Sequence, residues 1–440
     1  MTIVSAELVF AEDTWRRRHG VALQGGRILA TGDPRDLAER FPDHEREDWG
    51  DVALLPGCVN AHAHSFQVLL RGFGDDLSFM RWREGVLYPF SERLDTEAVR
   101  TGALFDFAEM ARAGITTVVD FFYLHDRGNE NDLAVIDAAR EVGIRIVLAR
   151  SMYDWSGAPP RYLESPDLAV RNTRELHASV GQDTHAFVQP APHSIHGASI
   201  ETIQAGAALA EELDTKFHIH VAEGRYERDM SLERHGVSPV ALLDQLGALN
   251  ERAVLVHCVW VDEDDLRLIS DRGAGVVHNP SANAFLGDGI APFRLMLGRG
   301  IPVALGTDGG CTNSRQSIFE DMRMAALLAK AVNVDAEAVR AVDVLLAGTA
   351  RGGEVLGLPI GRIAPDHAAD LVAVDLTDLS LQPASTAEWQ VVYAMQPTAI
   401  RRVVVGGETV VEDGELTRTD RRDIVARVGE VTKGWERPSP

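Results

Sequence analysis

His62 and His64 stand two residues apart at the end of an apolar run, in Pro56-Gly57-Cys58-Val59-Asn60-Ala61-His62-Ala63-His64. In an extended strand, residues two apart face the same side. The two imidazoles therefore project together and suit one metal ion. Three further stretches carry related chemistry: Phe217-His218-Ile219-His220-Val221-Ala222-Glu223, Val256-His257-Cys258 and Gly306-Thr307-Asp308-Gly309. Three imidazoles (His62, His64, His220) and the Asp308 carboxylate form a ligand set with room for water. Such a set suits catalytic zinc or a similar divalent metal, which lowers the pKa of its water to roughly 7. Glu223, three residues past His220, is placed to take that proton and hand it to a leaving nitrogen. His257 is either a fourth ligand or a hydrogen-bond partner of the attacking water or the developing tetrahedral centre. His218 faces the same way as His220, one layer deeper, and reads as a packed core residue.

Each of these residues has an ordinary structural explanation when taken alone. A strand-end His packs or caps, Asp308 caps a helix, and Glu223 is a solvated loop residue. The elements that carry them decide the matter. Eight apolar, β-branched runs are read as strands: Val52–His64, Ile115–Tyr123, Arg145–Ser151, His185–Ala191, Lys216–Ala222, Ala253–Val259, Gly275–Asn279 and Pro302–Asp308. Helical patterns lie between them, among them Glu97–Ala113, Asp132–Val142, Ile200–Leu213, Asp262–Arg272 and Gln316–Lys330. Strands alternating with helices mean parallel βαβ units, and eight of them predict an α/β fold with a (β/α)8 TIM-type barrel. An open doubly wound sheet is the rival, but no G-x-G-x-x-G opens a helix. In a barrel, chemistry sits at the carboxyl ends of strands. Strands one, five, six and eight end in His62 and His64, His220, His257 and Asp308. The two chain ends read as short strands with Gly25-Gly26 and Gly406-Gly407 turns, so a small β-sandwich domain built from both termini is expected. The boundaries read as residues 1–55 plus 365–440 for that domain and 56–364 for the catalytic barrel.

Composition narrows the function classes. The 440 residues are 45% hydrophobic and 25% charged, as in a soluble globular enzyme. A net charge of −23 repels phosphate backbones and anionic lipid, so neither nucleic acid nor a membrane is expected as a partner. Three dispersed cysteines, Cys58, Cys258 and Cys311, argue for a reducing, cytoplasmic setting. No secretory leader is visible after Met1, and no apolar run approaches the ~20 residues that span a membrane.

Pro-Gly-x-x-Asn-x-His-x-His, His-x-x-Glu, a strand-end His and Gly-Thr-Asp-Gly together resemble the amidohydrolase superfamily. The resemblance is to its mononuclear aminohydrolase branch of deaminases and chlorohydrolases, and it covers nearly the whole chain. It implies that His62, His64, His220 and Asp308 hold one divalent ion, most often zinc, with iron the alternative. It also implies that Glu223 and His257 do the proton work, with Asp308 acting as base toward the attacking water. Other branches bridge a second metal with a modified Lys at the end of strand four. Here that strand ends Gln189-Pro190-Ala191-Pro192-His193, without a Lys.

Two narrower resemblances compete. Residues 62–67, Trp82-Arg83-Glu84, Tyr123-Leu124-His125, Pro192-His193-Ser194 and Leu286-Gly287-Asp288 resemble N-formimino-L-glutamate deiminases. His235-Gly236 to Leu246, Val256-His257-Cys258-Val259-Trp260 and Phe319-Glu320-Asp321-Met322-Arg323 are more similar to S-adenosylhomocysteine-type and triazine-type aminohydrolases. The first resemblance makes Gln67, Arg83, Tyr123 and His193 candidate substrate contacts. It departs at His196, where those enzymes carry an Arg suited to a substrate carboxylate. The expected reaction is hydrolytic deamination of a small molecule at an amidine-type carbon, in a formimino or guanidino compound or an aminated heterocycle. Hydrolytic dechlorination of a heterocycle uses the same residues and is the alternative. A non-catalytic metal-binding scaffold would lack a ligand or a base, and none is missing. A phosphate isomerase would want a glycine loop where Asn279-Pro280-Ser281-Ala282-Asn283 stands. A homodimer is what the family suggests.

Overall fold

Strands buried on both faces read as continuous apolar runs rather than alternating ones. In the computed structural model, which describes residues 1–437, the middle of the chain follows that rule. Ile115–Phe122 and Arg145–Met152 are buried at every position. Two parallel sheets result. The five-stranded one runs in the order Asp308–Gly309, Cys58–His64, Ile115–Phe122, Arg145–Met152, Ala186–Pro192. The four-stranded one runs Phe217–Val221, Ala253–His257, Gly275–His278, Val303–Leu305. The sheets meet at both margins. On one side, Ser194 bridges to His220, whose backbone N–H donates to His193 O at 3.0 Å. On the other, Val303–Leu305 leads through Gly306 and Thr307 into Asp308, which pairs with Ala63. Ala61 of the first sheet shares a buried cluster with Val254, Val256, Val277 and Ala304 of the second.

Helices follow the strands and are capped by the residues that favour such ends. Asp95 accepts from Ala98 N at 2.8 Å to open Thr96–Arg112. Asp262 and Asp265 form a capping box at the start of Glu263–Arg272.

Both chain ends pair into one nine-stranded sheet. Its order is Glu415–Leu416, Glu408–Glu412, Ile400–Val405, Leu371–Asp375, Val52–Pro56, Thr2–Ala11, Thr14–Gln24, Arg27–Gly32, with Glu45–Asp48 beside Thr2–Ala11. A buried ion pair fastens this sheet to the parallel strands. Arg145 reaches Asp370, and Asp370 Oδ1 also accepts from Gly406 N at 2.8 Å.

Three expectations are corrected here. The run from Val52 to His64 is two strands. Val52–Pro56 pairs with Leu371–Asp375 in the terminal sheet, whereas Cys58–His64 pairs with Ile115–Phe122. The break falls at Gly57, where any Cβ would collide with the Thr116 side chain. The eighth run also breaks: Val303–Leu305 pairs with Gly275–His278, and Asp308–Gly309 switches to Cys58–His64. Finally, the carboxyl-terminal stretch is not all β. It includes helices Ala387–Tyr393 and Arg421–Val431, the second packed on Thr96–Arg112.

One buried group outside the site sets a stability prediction. Asp106 lies fully buried on Thr96–Arg112, and neither carboxyl oxygen has a hydrogen-bond partner. Burial, and then neighbouring Glu109, push its pKa well above the ordinary value. The fold therefore holds it neutral, while the unfolded chain ionises it above about pH 4. A raised folded pKa gives stability that is full below the unfolded pKa and lost as pH rises toward the folded one. Asp106→Asn should melt above the parent at pH 8 and match it near pH 4, as read by thermal unfolding across that range.

Candidate active site

The strand ends gather the side chains that the spacing singles out. His62 and His64 leave Cys58–His64 on one side, with ring centroids 4.7 Å apart. His220, from the end of Phe217–Val221, lies 4.9 Å from His62 and 5.5 Å from His64 by ring centroids. Asp308 Oδ1 stands 3.6 Å from His62 Nε2 and 3.5 Å from His64 Nε2. Candidate ligand atoms of His62, His64 and His220 all lie within 4.8 Å of one another, as do those of His62, His257 and Asp308.

Hydrogen bonds fix which imidazole nitrogen faces inward. A ring nitrogen beside a carbonyl oxygen must carry the proton. His64 Nδ1 donates to Phe121 O at 2.6 Å, and His220 Nδ1 donates to His193 O at 2.8 Å. Their Nε2 lone pairs are thereby left for the centre, an arrangement usual for metal-binding His. Burial, then the neighbouring His62, drops His64 to about 4, and burial first also lowers His220 well below the usual range. Both are neutral, as ligands must be. His62 is fully buried, yet neither ring nitrogen has a hydrogen-bond partner. An orphaned buried imidazole facing two others and a carboxylate is what a cation would satisfy. Burial works against the charge on Asp308, but His62, His257 and His64 together hold its carboxyl below the usual range. The donor set therefore fits a divalent metal.

The backbone is shaped around this cluster. Ala222, His257 and Asp308 take left-handed conformations, with φ of 52°, 81° and 63°. Such angles in non-glycine residues cost roughly 1–3 kcal/mol each and gather where function demands them. Gly306 brings the eighth strand against the first, since a Cβ there would stand 2.9 Å from His62 Cβ. Asn60 sits between the two segments. Its Oδ1 accepts from Thr307 N at 3.0 Å and its Nδ2 donates to Thr307 Oγ1 at 2.7 Å, which positions Asp308 opposite His62. Asp120 accepts from Ser65 N at 3.0 Å and holds the turn just after His64. Asn60 was legible as part of a motif, but its task became visible only with Thr307 opposite it.

Glu223 and His257 stand beside the cluster. Glu223 Oε1 is 3.5 Å from His257 Nε2. His257 Nδ1 faces the side-chain amides of Asn279 at 3.2 Å and Asn283 at 3.0 Å, which turns Nε2 toward Glu223. Burial, then Asp288 and Asp308, raise the Glu223 pKa well above the ordinary carboxyl range. Glu223 thus retains a proton that it can give up. His218 is buried with its Nε2 2.7 Å from Gln189 Oε1, a core contact away from the cluster.

A cavity opens onto these groups. Gln67, Arg83, Tyr123, His193 and His196 all line it. Gln67 Nε2 donates to Tyr123 Oη at 2.5 Å. Arg83 is flanked by the rings of Phe79, Tyr88 and Trp155 at 5.4–6.0 Å, and its buried Nε has no partner. Burial, then Arg83, bring His196 down to about 4. Phe79, Leu87, Tyr88, Tyr153, Tyr162 and Thr312 complete much of the wall and were not expected from sequence. Tyr153 directly follows the strand Arg145–Met152, so reading that strand's end would have found it. Phe79, Leu87 and Tyr88 lie on a short helical run whose π turn breaks the helical period, and Tyr162 and Thr312 lie on a 3-10 turn and a loop.

Parallel strands whose carboxyl ends converge three imidazoles, a charged carboxylate and a proton-holding carboxyl define a metal-dependent hydrolase. Residues 53–410 match the Amidohydrolase family, and the chain belongs to it, in the mononuclear aminohydrolase branch that hydrolyses C–N bonds other than peptide bonds. The chain is 34% identical over 431 residues to a 5-methylthioadenosine/S-adenosylhomocysteine deaminase of Nitratidesulfovibrio vulgaris, covering 97% of this chain and 95% of that one. It is 34% identical over 389 residues to a 5'-deoxyadenosine deaminase of Methanopyrus kandleri, covering 87% and 88%. Among solved structures it is similar to an adenosine deaminase from Xanthomonas campestris with bound zinc. That match has a TM-score of 0.92 and 31% identity, and it covers 98% of this chain and 97% of the other. Among the described residues, no helix is long and apolar enough to cross a membrane.

Proposed function

We propose that this protein is a hydrolytic deaminase of adenosine-like nucleosides, with one zinc ion held by His62, His64, His220 and Asp308. The observation that carries the substrate class is identity near 34%, along almost the full length, to enzymes named for adenine nucleosides. In this reading the eight parallel strands close a (β/α)8 barrel, and the nine-stranded sheet forms a separate small domain. The metal, when bound, acidifies a water molecule and supplies positive charge beside the reacting carbon. Asp308 accepts a proton from the attacking water. His257 orients that water through Nε2. Glu223 gives its proton to the ring nitrogen next to the amidine carbon. Asp308 passes the proton taken from water to the amino group, which leaves as ammonia as the tetrahedral centre collapses, and the hydroxyl proton of that centre returns to Glu223. Gln67, Arg83, Tyr123, His193 and His196 contact the rest of the substrate.

The wall around Arg83 favours a particular tail. Its donors are Arg83, Tyr88, Tyr153 and His196, and the cavity lining holds no carboxylate besides Glu223 and Asp308. A tail rich in acceptors or carrying a carboxylate matches that wall better than a bare sugar diol, which carboxylates recognise best. Ammonia release should therefore be screened with adenosine, 5'-deoxyadenosine, 5'-methylthioadenosine and S-adenosylhomocysteine, beside N-formimino-L-glutamate and a chlorotriazine. Adenine nucleosides should release ammonia, with S-adenosylhomocysteine preferred. Arg83→Met should raise KM for S-adenosylhomocysteine about tenfold or more and leave 5'-deoxyadenosine within about threefold. Ammonia from the formimino compound alone, or halide from the triazine, would replace this substrate class.

A further inference from the structure

The stretch between Leu70 and Asp95 supplies Phe79, Trp82, Arg83, Leu87 and Tyr88 to the cavity wall. It contains one short helical run, Phe79–Ser91, whose middle, Arg83–Leu87, has π geometry. A helical run this short, interrupted by a π turn, is marginal on its own in water, because nucleation is costly and few turns repay it. The stretch must be held from outside. On its barrel side, Tyr162 Oη donates to Ser91 Oγ at 2.8 Å and Arg161 Nη1 donates to Leu94 O at 2.9 Å.

Its other support comes from the far end of the chain. Helix Arg421–Val431 packs along Thr96–Arg112, and the chain then turns at Gly434, with φ of 76°. Trp435 follows. Its ring centroid lies 5.1 Å from Phe90 and 6.2 Å from Phe73, and those two rings lie 4.9 Å from each other. Phe73 stands at the start of the stretch and Phe90 at its end, so one indole touches both stems. Two residues on, Arg437 Nη2 donates to Asp75 O at 2.6 Å. The cavity-lining residues lie between the two points so fixed.

We propose that Trp435 is a positioning residue for the active site, pinning both stems of the 71–94 stretch so that Trp82, Arg83 and Tyr88 are presented to the substrate. Trp435 touches no reacting group. It acts through Phe73 and Phe90, with Arg437 as a second and weaker tie. The proposal rests on the deaminase reading only for its kinetic assay, since its exchange measurement needs no substrate.

The test compares the full-length parent with Trp435→Ala, Trp435→Phe and Arg437→Ala. KM and kcat, metal content and backbone amide exchange are measured on each. Trp435→Ala should raise KM about tenfold with kcat within about threefold, because the wall is loosened while the reacting groups stay in place. Amides of 73–90 should exchange faster, with those of the parallel strands unchanged and metal content intact. Trp435→Phe should restore most of both effects. Arg437→Ala, an exposed change that leaves the core alone, should move KM and local exchange the same way by a smaller factor. Unchanged exchange over 73–90 in Trp435→Ala overturns the proposal. So does faster exchange throughout the chain with kcat and KM both altered, which would make Trp435 general structural support. If Trp435→Ala does not fold, Trp435→Phe and Arg437→Ala decide by the same two readouts. If none of the substrates is turned over, the exchange pattern decides alone and the deaminase reading falls separately.

Discussion

Glu223→Gln is expected to lower kcat by roughly 10³-fold or more while metal content stays at the parent level, since a positioned general acid contributes about 10²–10⁴-fold and Gln carries no transferable proton. The physical basis is local. Glu223 is 6% exposed, and burial beside Asp288 and Asp308 raises its pKa. Its Oε1 is 3.5 Å from His257 Nε2, and its backbone N–H donates to Glu227 Oε2 at 3.0 Å, which fixes the backbone from which the side chain reaches the edge of the cluster. Gln fills the same space without a charge, so the fold and the four proposed ligands are undisturbed. Steady-state kinetics with metal analysis on the same preparation checks the expectation. Activity within tenfold of the parent would remove Glu223 from the proton path.

The second large effect is at His62. His62→Ala should lose bound metal and activity together. In the parent, added metal should raise the melting temperature, because a ligand that binds only the folded state stabilises it by about 2.7 kcal/mol at a hundred times its Kd. That metal-dependent shift should be absent from His62→Ala. The basis is that both ring nitrogens are buried without a partner, so the imidazole makes no hydrogen bond whose loss would weaken the fold. A variant that kept metal and turnover and merely melted earlier would make His62 a packing residue.

Much of the site was readable from residue order because a parallel α/β fold puts strand ends together whatever their separation in sequence. His62, His64, His220, His257 and Asp308 needed only that rule. The boundaries were harder. Val52–Pro56 and Cys58–His64 form one unbroken apolar run, and periodicity cannot show that Gly57 hands the chain from one sheet to another. The jump from Val303–Leu305 to Asp308–Gly309 is hidden for the same reason, since its cause is the approach of Gly306 to His62. The aromatic wall was the least legible part. Phe79 and Tyr88 lie on a short helical run broken in its periodicity by a π turn, and Tyr162 on a 3-10 turn, where position is decided by tertiary contacts such as Tyr162 with Tyr88 and Ser91 and Phe79 with Tyr226. Of the five proposed substrate contacts, Gln67, Arg83, Tyr123, His193 and His196, all reach one cavity, which the chain's order alone does not dictate.

On the proposed function, a divalent metal in this ligand set drives hydrolytic loss of ammonia. The most direct measurement is ammonia release from 5'-methylthioadenosine and S-adenosylhomocysteine by protein stripped of metal and then titrated with zinc. The stripped protein should release no ammonia, and activity should rise to a plateau at one zinc per chain. Full turnover without metal, or no ammonia from either nucleoside at any zinc level, would contradict the proposed function.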